Sequence, residues 1–357
     1  MIGRAMGIET ATVLANAAQG TVIHFTGHLV MPDSASEDVA ATARAIERQL
    51  ARIPIRWGHG SLACGSDLLV AETLLRQGAE LTVVLPCAPE DFVDRSVKQG
   101  GRTWIARFQR CLDGAHRVIT MPWDKVDRPL SFAWADRIAI GSALRQAREL
   151  EAPATQFAVW NETTPAEGGG TALAVAEWKR LGQTSTSIPC RWHQAQGVAT
   201  PLAAQPIPAV MIGTDDPESA SMPADDAWVK ARLPLASIAI APAERAWLFD
   251  SASTAMKAAA LLQRQRIRAG RRTPLLLDLA SSTLDQPYDR ILRESWAVAN
   301  RPVTPEGTIA ATDSFLAESL VATGRHWRNT PIGYAPTRGP APPTPLYLLD
   351  LSEDWEG

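Results

Sequence analysis

Short apolar runs recur through the first half of the chain, each followed by a stretch whose apolar residues stand three and four apart. The runs "TVIHF" (21–25), "IPIRW" (53–57), "LTVVLP" (81–86), "RVITM" (117–121) and "QFAVW" (156–160) read as strands, with "TSIPC" (186–190) as a sixth. The stretches between them read as helices at 36–51, 67–77, 101–112, 131–150 and 171–181. In the first of these, Val39, Ala43, Ile46 and Leu50 are spaced four, three and four apart behind a Ser36–Glu37 start, which gives one buried face. Alternation of this kind predicts an α/β fold, a Rossmann-like parallel sheet with crossover helices, over residues 21–192.

After Cys190 the pattern lapses. Residues 193–208 are poor in large apolar side chains and carry Pro201, Pro206 and Pro208, as an extended linker does. A second block, 209–357, reads strand ("AVMIGT"), hairpin ("ASIAIAPAERAWLFD"), helix (253–268), strand ("PLLLDLA"), helix (285–298), strand ("GTIAAT"), helix (313–321) and two closing strands. That order predicts a ferredoxin-like α+β domain. Residues 1–20 form an N-terminal tail with no apolar run of signal or membrane-spanning length, and the chain is expected to be cytoplasmic.

Composition changes this picture little. Of the 357 residues, 46% are hydrophobic, enough for two cores. A formal charge of -3 gives no electrostatic footprint for a membrane surface and argues against nucleic acid as the partner. Cys64, Cys87, Cys111 and Cys190 lie far apart without ligand spacing, so neither a disulfide framework nor a zinc site is expected, and no cofactor is implied.

The candidate chemistry lies in the loops. Gly58, Gly60, Ser61, Ala63, Gly65 and Ser66 separate a strand from the helix that opens at Asp67, and "GGGTALAVAEWKR" repeats the arrangement with Gly168, Gly169 and Gly170 before Thr171. A helix start carries unpaired N–H groups and the positive end of its dipole, which suits an anion. The loop after the first strand, with Gly27 and His28, adds a third element at the same sheet edge. The expected ligand-binding set is therefore Gly27, His28, Gly60, Ser61, Cys64, Gly65, Asp67, Gly169, Gly170 and Thr171, with no catalytic and no metal-binding residue. Each has a plainer reading beside it: Asp67 and Thr171 suit helix caps, His28 and His59 suit structural loop positions, and Arg102 and Arg107 suit a solvated helix face. On this reading, bulky residues at Gly65 and Gly170 together are expected to abolish binding while the fold survives.

The segment "GSLACGSDLLVAETLLRQGAELTVVLP" resembles the signature of the SLOG superfamily, which joins the DNA-processing protein A fold to the Lonely Guy phosphoribohydrolases. Ala63, Cys64, Gly65, Ser66 and Asp67 stand where the DNA-processing proteins run Ala-Arg-Gly-Ile-Asp, and "GGGT" is similar to the superfamily's Gly-Gly-x-Gly-Thr phosphate loop. The likeness spans residues 22–189 and extends to modules that precede cyclase-like domains in bacterial signalling proteins. It implies a nucleotide site. In the phosphoribohydrolases a glutamate follows Thr three positions on and helps break the N-glycosidic bond; here that position is Ala174, and Glu177 is nearly two turns along the helix.

The second block resembles class III nucleotidyl cyclases in "AWLFDSASTAMKAAALLQRQ", "ANRPVTPEGTIAATDSFLA" and "TPLYLLDL". Those enzymes hold two metal ions on two aspartates, because triphosphate chemistry needs charge neutralisation. The resemblance puts Ala243 at the hairpin aspartate and Thr214 near the other, with Asp215 and Asp216 following. It also puts Ala297 where a ribose-orienting asparagine is expected, leaving Arg301 from the set. The resemblance then implies a degenerate, catalytically inactive cyclase-like domain, retained for dimerisation or ligand binding, and a homodimer is expected. The leading expectation is a nucleotide or nucleotide-derived messenger sensor. An N-glycosidic hydrolase is the alternative, and single-stranded nucleic acid binding ranks third.

Overall fold

In the computed structural model the described residues are 20–30, 34–121, 129–162, 170–192, 207–214, 234–241, 244–268, 274–280, 284–295, 297–298, 305, 308–335 and 344–349. The described residues fall into two compact units, 20–192 and 207–349.

The first unit runs β1 (Thr21–Gly27), α1 (Ser36–Leu50), β2 (Ile55–Gly60), α2 (Ser66–Arg76), β3 (Glu80–Leu85), α3 (Arg102–Asp113), β4 (Arg117–Thr120), α4 (Pro129–Glu149), β5 (Ala154–Trp160), α5 (Thr171–Arg180) and β6 (Ser185–Pro189). The six strands are all parallel, in the order β4-β3-β2-β1-β5-β6. Parallel strands covered on both faces bury both sets of side chains, which is why β1 reads as an almost unbroken apolar run. Ile23 and Phe25 face a core shared with Ile46, Leu68, Leu74 and Phe108. His24 points the other way: its ring stacks on Trp178 of α5 at 5.6 Å, and its Nδ1 lies 3.0 Å from Gln156 Nε2.

Two features depart from the sequence pattern. β2 begins two residues later than expected and continues through Gly58–His59–Gly60, which the pattern assigns to a loop. These glycines lie inside the strand because side chains press on them: a Cβ at Gly58 would meet Leu74 Cδ1 at 2.5 Å, and one at Gly60 the Phe25 ring at 2.6 Å. Between β3 and α3 the chain makes an irregular helical passage, Pro89–Phe92, Val93–Val97 and Lys98–Gly100, that no periodicity announces.

The second unit runs β7 (Ala209–Thr214), β8 (Ala236–Ala241), β9 (Glu244–Phe249), α6 (Ala252–Arg268), β10 (Leu275–Leu279), α7 (Tyr288–Glu294), β11 (Ile309–Thr312), α8 (Asp313–Thr323), β12 (Asn329–Ala335) and β13 (Thr344–Leu349). Its seven strands stand in the order β12-β13-β11-β10-β7-β9-β8, antiparallel except for β10 with β11. The α+β assignment thus holds. Helices α6 and α8 pack together on the sheet, while Ile291 and Leu292 of α7 meet Val210, Ala246 and Leu248. Helix α7 is shorter than the expected 285–298, because Ser295 turns extended and its hydroxyl donates to Leu292 O at 2.9 Å. Thr312 ties the sheet to α8: its Oγ1 accepts from Phe315 N at 3.3 Å and donates to Asp278 Oδ1 at 2.8 Å. Burial pushes the Asp278 carboxyl up to about 6.

Candidate functional site at the carboxyl edge of the parallel sheet

The strand order reverses between β1 and β5, since β2 to β4 lie on one side of β1 and β5 and β6 on the other. Crevices for ligands open beyond the strand ends at such a switch point. Gly27 and His28, the start of α2, and Asn161 meet there. Gly27 lets α2 approach closely: a Cβ on it would lie 2.3 Å from Ser66 Cβ and 2.8 Å from Val159 O. The His28 N–H donates to Val159 O at 3.0 Å, and its carbonyl accepts from Ser66 N at 3.1 Å. Its ring is buried, with Nε2 at 3.2 Å from Asn161 Oδ1 and 3.4 Å from Asn161 N, and burial lowers its pKa.

The loop before α2 is committed to the protein itself. Gly65 has φ +112° and bridges to Leu29, so a Cβ there would lie 2.4 Å from Val30 N and 2.8 Å from His28 O. Cys64 is buried, with its N–H donating to Ser96 O at 2.8 Å and its carbonyl accepting from Val30 N at 2.9 Å. Burial raises its thiol pKa. Ser61 is half-buried just past β2, and Gly60 is covered by Phe25. The small residues of 58–66 therefore serve close packing of strand, loop and helix, and the amides of Ala63, Cys64 and Ser66 already have acceptors.

Asp67 lies in the first turn of α2, one residue after the helix starts, and its Oδ2 accepts from Ala63 N at 3.3 Å. It is 8% exposed and interacts with Asp136 of α4. Burial first, and the Asp136 charge second, push Asp67 up to about 8; burial pushes Asp136 up to about 7. Asp136 is not among the expected site residues, nor is Asn161; the place of Asn161 directly after β5 is the available signal, whereas nothing local marks Asp136.

The second glycine loop is of another kind. Gly170 precedes α5 with φ +63°, and a Cβ there would meet nothing within 4 Å among the described residues. Thr171 begins the helix and is buried. Gly169, with Gly168, lies outside the described residues. Glu177 is held by Arg137 Nη1 at 2.9 Å and Arg180 Nη2 at 2.7 Å. Arg107 is bidentate on Glu72, at 2.7 and 2.6 Å, and lies 4.1 Å over the Trp104 ring. Arg107 and Glu72 border a groove of about 420 Å³ floored by Ala43, Leu69, Leu75 and Cys111. His59 meets Gln146 Oε1 through Nε2 at 2.6 Å, a structural contact beneath α4. All four cysteines are buried and free, and among the described residues no group of three or more His, Cys, Asp or Glu is placed to hold a metal ion. No helix among them is long and apolar enough to cross a membrane. In the second unit, Ala297 is buried, while Asp215, Asp216, Ala243 and Arg301 lie outside the described residues.

No family model and no curated protein sequence matches the chain. Among solved structures it is similar to an adenylate cyclase from Trypanosoma brucei in its monomeric state, at 12% identity over 40% of this chain and 89% of that one, with a TM-score of 0.27. An adenylate/guanylate cyclase/hydrolase from Silicibacter pomeroyi matches at 12% identity over 41% of this chain and 98% of that one, TM-score 0.29. DNA processing protein A from Streptococcus pneumoniae matches at 11% identity over 48% of this chain and 60% of that one, TM-score 0.21. The fold itself, mixed α/β with a parallel six-stranded sheet and a second, mixed sheet, is read from the chain's own strand order.

Proposed function

We propose that the first unit binds a nucleotide or nucleotide-derived messenger at the carboxyl edge between β1 and β5, with a phosphate against the start of α5, and that the second unit is a catalytically inactive, cyclase-shaped signalling domain that pairs with a second copy. The observation that carries this reading is Gly170: a positive-φ glycine at a helix start, with nothing within 4 Å of its added Cβ among the described residues, where first-turn N–H groups and the helix dipole favour an anion. Hydrolysis is disfavoured, because Ala174 replaces the glutamate of the phosphoribohydrolases and Glu177 is engaged by two arginines. Gly170→Val fills the approach to those amides. It is expected to abolish the calorimetric signal of nucleoside 5′-monophosphates while the circular dichroism stays native, and undiminished binding would remove the site.

The inactivity of the second unit rests on the resemblance at Ala243 and Ala297. The full chain is expected to form no cyclic nucleotide from ATP or GTP with Mg²⁺ or Mn²⁺, since without metal-holding carboxylates the transferred phosphoryl charge is not neutralised. Metal-dependent cyclisation that is lost on changing Asp215 or Asp216 would overturn this.

A further inference from the structure

In the second unit the first turns of α6 and the chain that follows α8 enclose a cavity of about 270 Å³. Lys257 of α6 and Arg325 and Trp327 after α8 line it, with Ala322 at its rim, and no carboxylate does so among the described residues. Both cations are exposed. One row across the sheet shows which part of the chain emerges beside them. Asn329, two residues after Trp327, stands opposite Leu349, and the row continues through Ile309 and Leu275 to Gly213. Leu349 is the last residue of β13, so the chain leaves the sheet about 5 Å from Asn329. The sequence then runs "DLSEDWEG" (350–357), outside the described residues, with Asp350, Glu353, Asp354 and Glu356 and no basic residue. From Leu349 to Trp327 is at most about 13 Å, which four extended residues span. The other acid-rich stretch, 215–226, begins past Gly213, four strand spacings or about 19 Å along the row.

We propose that residues 350–357 dock on this cavity of their own chain, with the Glu353 and Asp354 carboxylates on Lys257 and Arg325 and the Trp355 ring over the rim at Ala322. Exposed ion pairs of this kind are individually weak. A tether of a few residues offsets that weakness, because it holds the carboxylates at an effective concentration in the millimolar range. The segment therefore fills the cavity and keeps free anions out of it until their concentration exceeds that value. The cavity is an internal clasp, opened by salt.

Carbodiimide, which joins an amine to a carboxylate only where the two touch, tests this on the unaltered full chain. An equal mixture of nitrogen-15-labelled and unlabelled protein separates links within one chain from links between chains. Mass spectrometry of the peptides is expected to find Lys257 joined to Glu353, Asp354 or Glu356 of the same chain, and the link should vanish in about 1 M NaCl. Lys257 joined to a carboxylate of 215–226, to a second chain, or to none overturns the proposal. Hydrogen exchange measures the same contact independently. The amides of residues 351–356 are expected to exchange about fivefold more slowly in the unaltered chain than in the double variant Lys257→Glu, Arg325→Glu, whose changes fall at exposed positions and leave the fold intact. Adding Glu353→Lys and Asp354→Lys to that variant should restore the slow exchange, since the charges then match with their signs exchanged. Equal exchange in all three proteins overturns the clasp.

Discussion

Gly65→Val is expected to leave the first unit unable to fold, seen as loss of its cooperative urea transition and of native circular dichroism. The glycine has φ +112°, a conformation that a β-branched residue does not adopt without strain. The added Cβ would lie 2.4 Å from Val30 N and 2.8 Å from His28 O, both backbone atoms, so no side chain can swing aside. Relief would require the loop after β1 to move, breaking the bonds Val30 N to Cys64 O and Ser66 N to His28 O. Strain, lost hydrogen bonds and exposed core together exceed about 4 kcal/mol, a large part of a typical domain's stability of about 5–15 kcal/mol. Gly170→Val is the contrast: its Cβ meets nothing within 4 Å among the described residues, so only the positive-φ backbone is strained, at about 1–3 kcal/mol. A normal urea transition for Gly65→Val would mean that the contact between the two loops is not formed.

Asp67→Asn is expected to stabilise the first unit most at pH 9 and much less at pH 5. Both Asp67 and Asp136 hold their protons to higher pH in the folded chain than in the unfolded one, where a carboxyl titrates near 3.8. From about pH 4 upward the folded chain therefore binds more protons than the unfolded chain, so stability falls as pH rises, until the folded carboxyls have ionised at about 8 and about 7. Below pH 4 both states are protonated and the effect vanishes. With Asp67 8% exposed, the penalty at pH 9 is on the order of several kcal/mol, since each tenfold difference in proton affinity between the two states is worth about 1.4 kcal/mol. Asparagine keeps an acceptor for Ala63 N and has no proton to lose. Because the two acids titrate as a pair, adding Asp136→Asn should give less than a second equal gain. Melting temperatures at pH 5, 7 and 9 decide it: parallel curves for the two proteins would show that Asp67 is not held protonated.

Order and type of the strands are legible because parallel strands covered on both faces leave a continuous apolar run. Strand ends are less so. The sequence pattern treats glycine as a breaker, and so ends β2 at Trp57, whereas Gly58 and Gly60 continue it under Leu74 and Phe25. The same ambiguity governs the site. Gly65 and Gly170 look alike in sequence and suggest two equivalent ligand contacts, but the first is filled by backbone of the loop after β1, while a Cβ on the second meets nothing among the described residues. From sequence, substituting both should affect binding alone; the packing at Gly65 makes the fold its first casualty. The carboxyl pair is not legible at all, because Asp136 is brought to Asp67 by the crossing of α4 over the sheet, and no local spacing records that crossing.

The place of β1 in its sheet has a consequence for how the chain is made. It is the first of the six strands to leave the ribosome and lies in the interior of the sheet, between β2 and β5. The β2 side can close early, yet its other neighbour arrives much later: His24 and Gln156, side by side in the finished sheet, are 132 positions apart. At about 5–20 residues per second the second edge of β1 stays open for on the order of ten seconds, with its N–H and C=O groups free to pair with another nascent chain. Closing so long a loop also makes this pairing slow in the released protein. Chains that stop short of β5 should consequently gather in inclusion bodies, and slowed elongation upstream of residue 154 should lower the soluble yield of the whole protein.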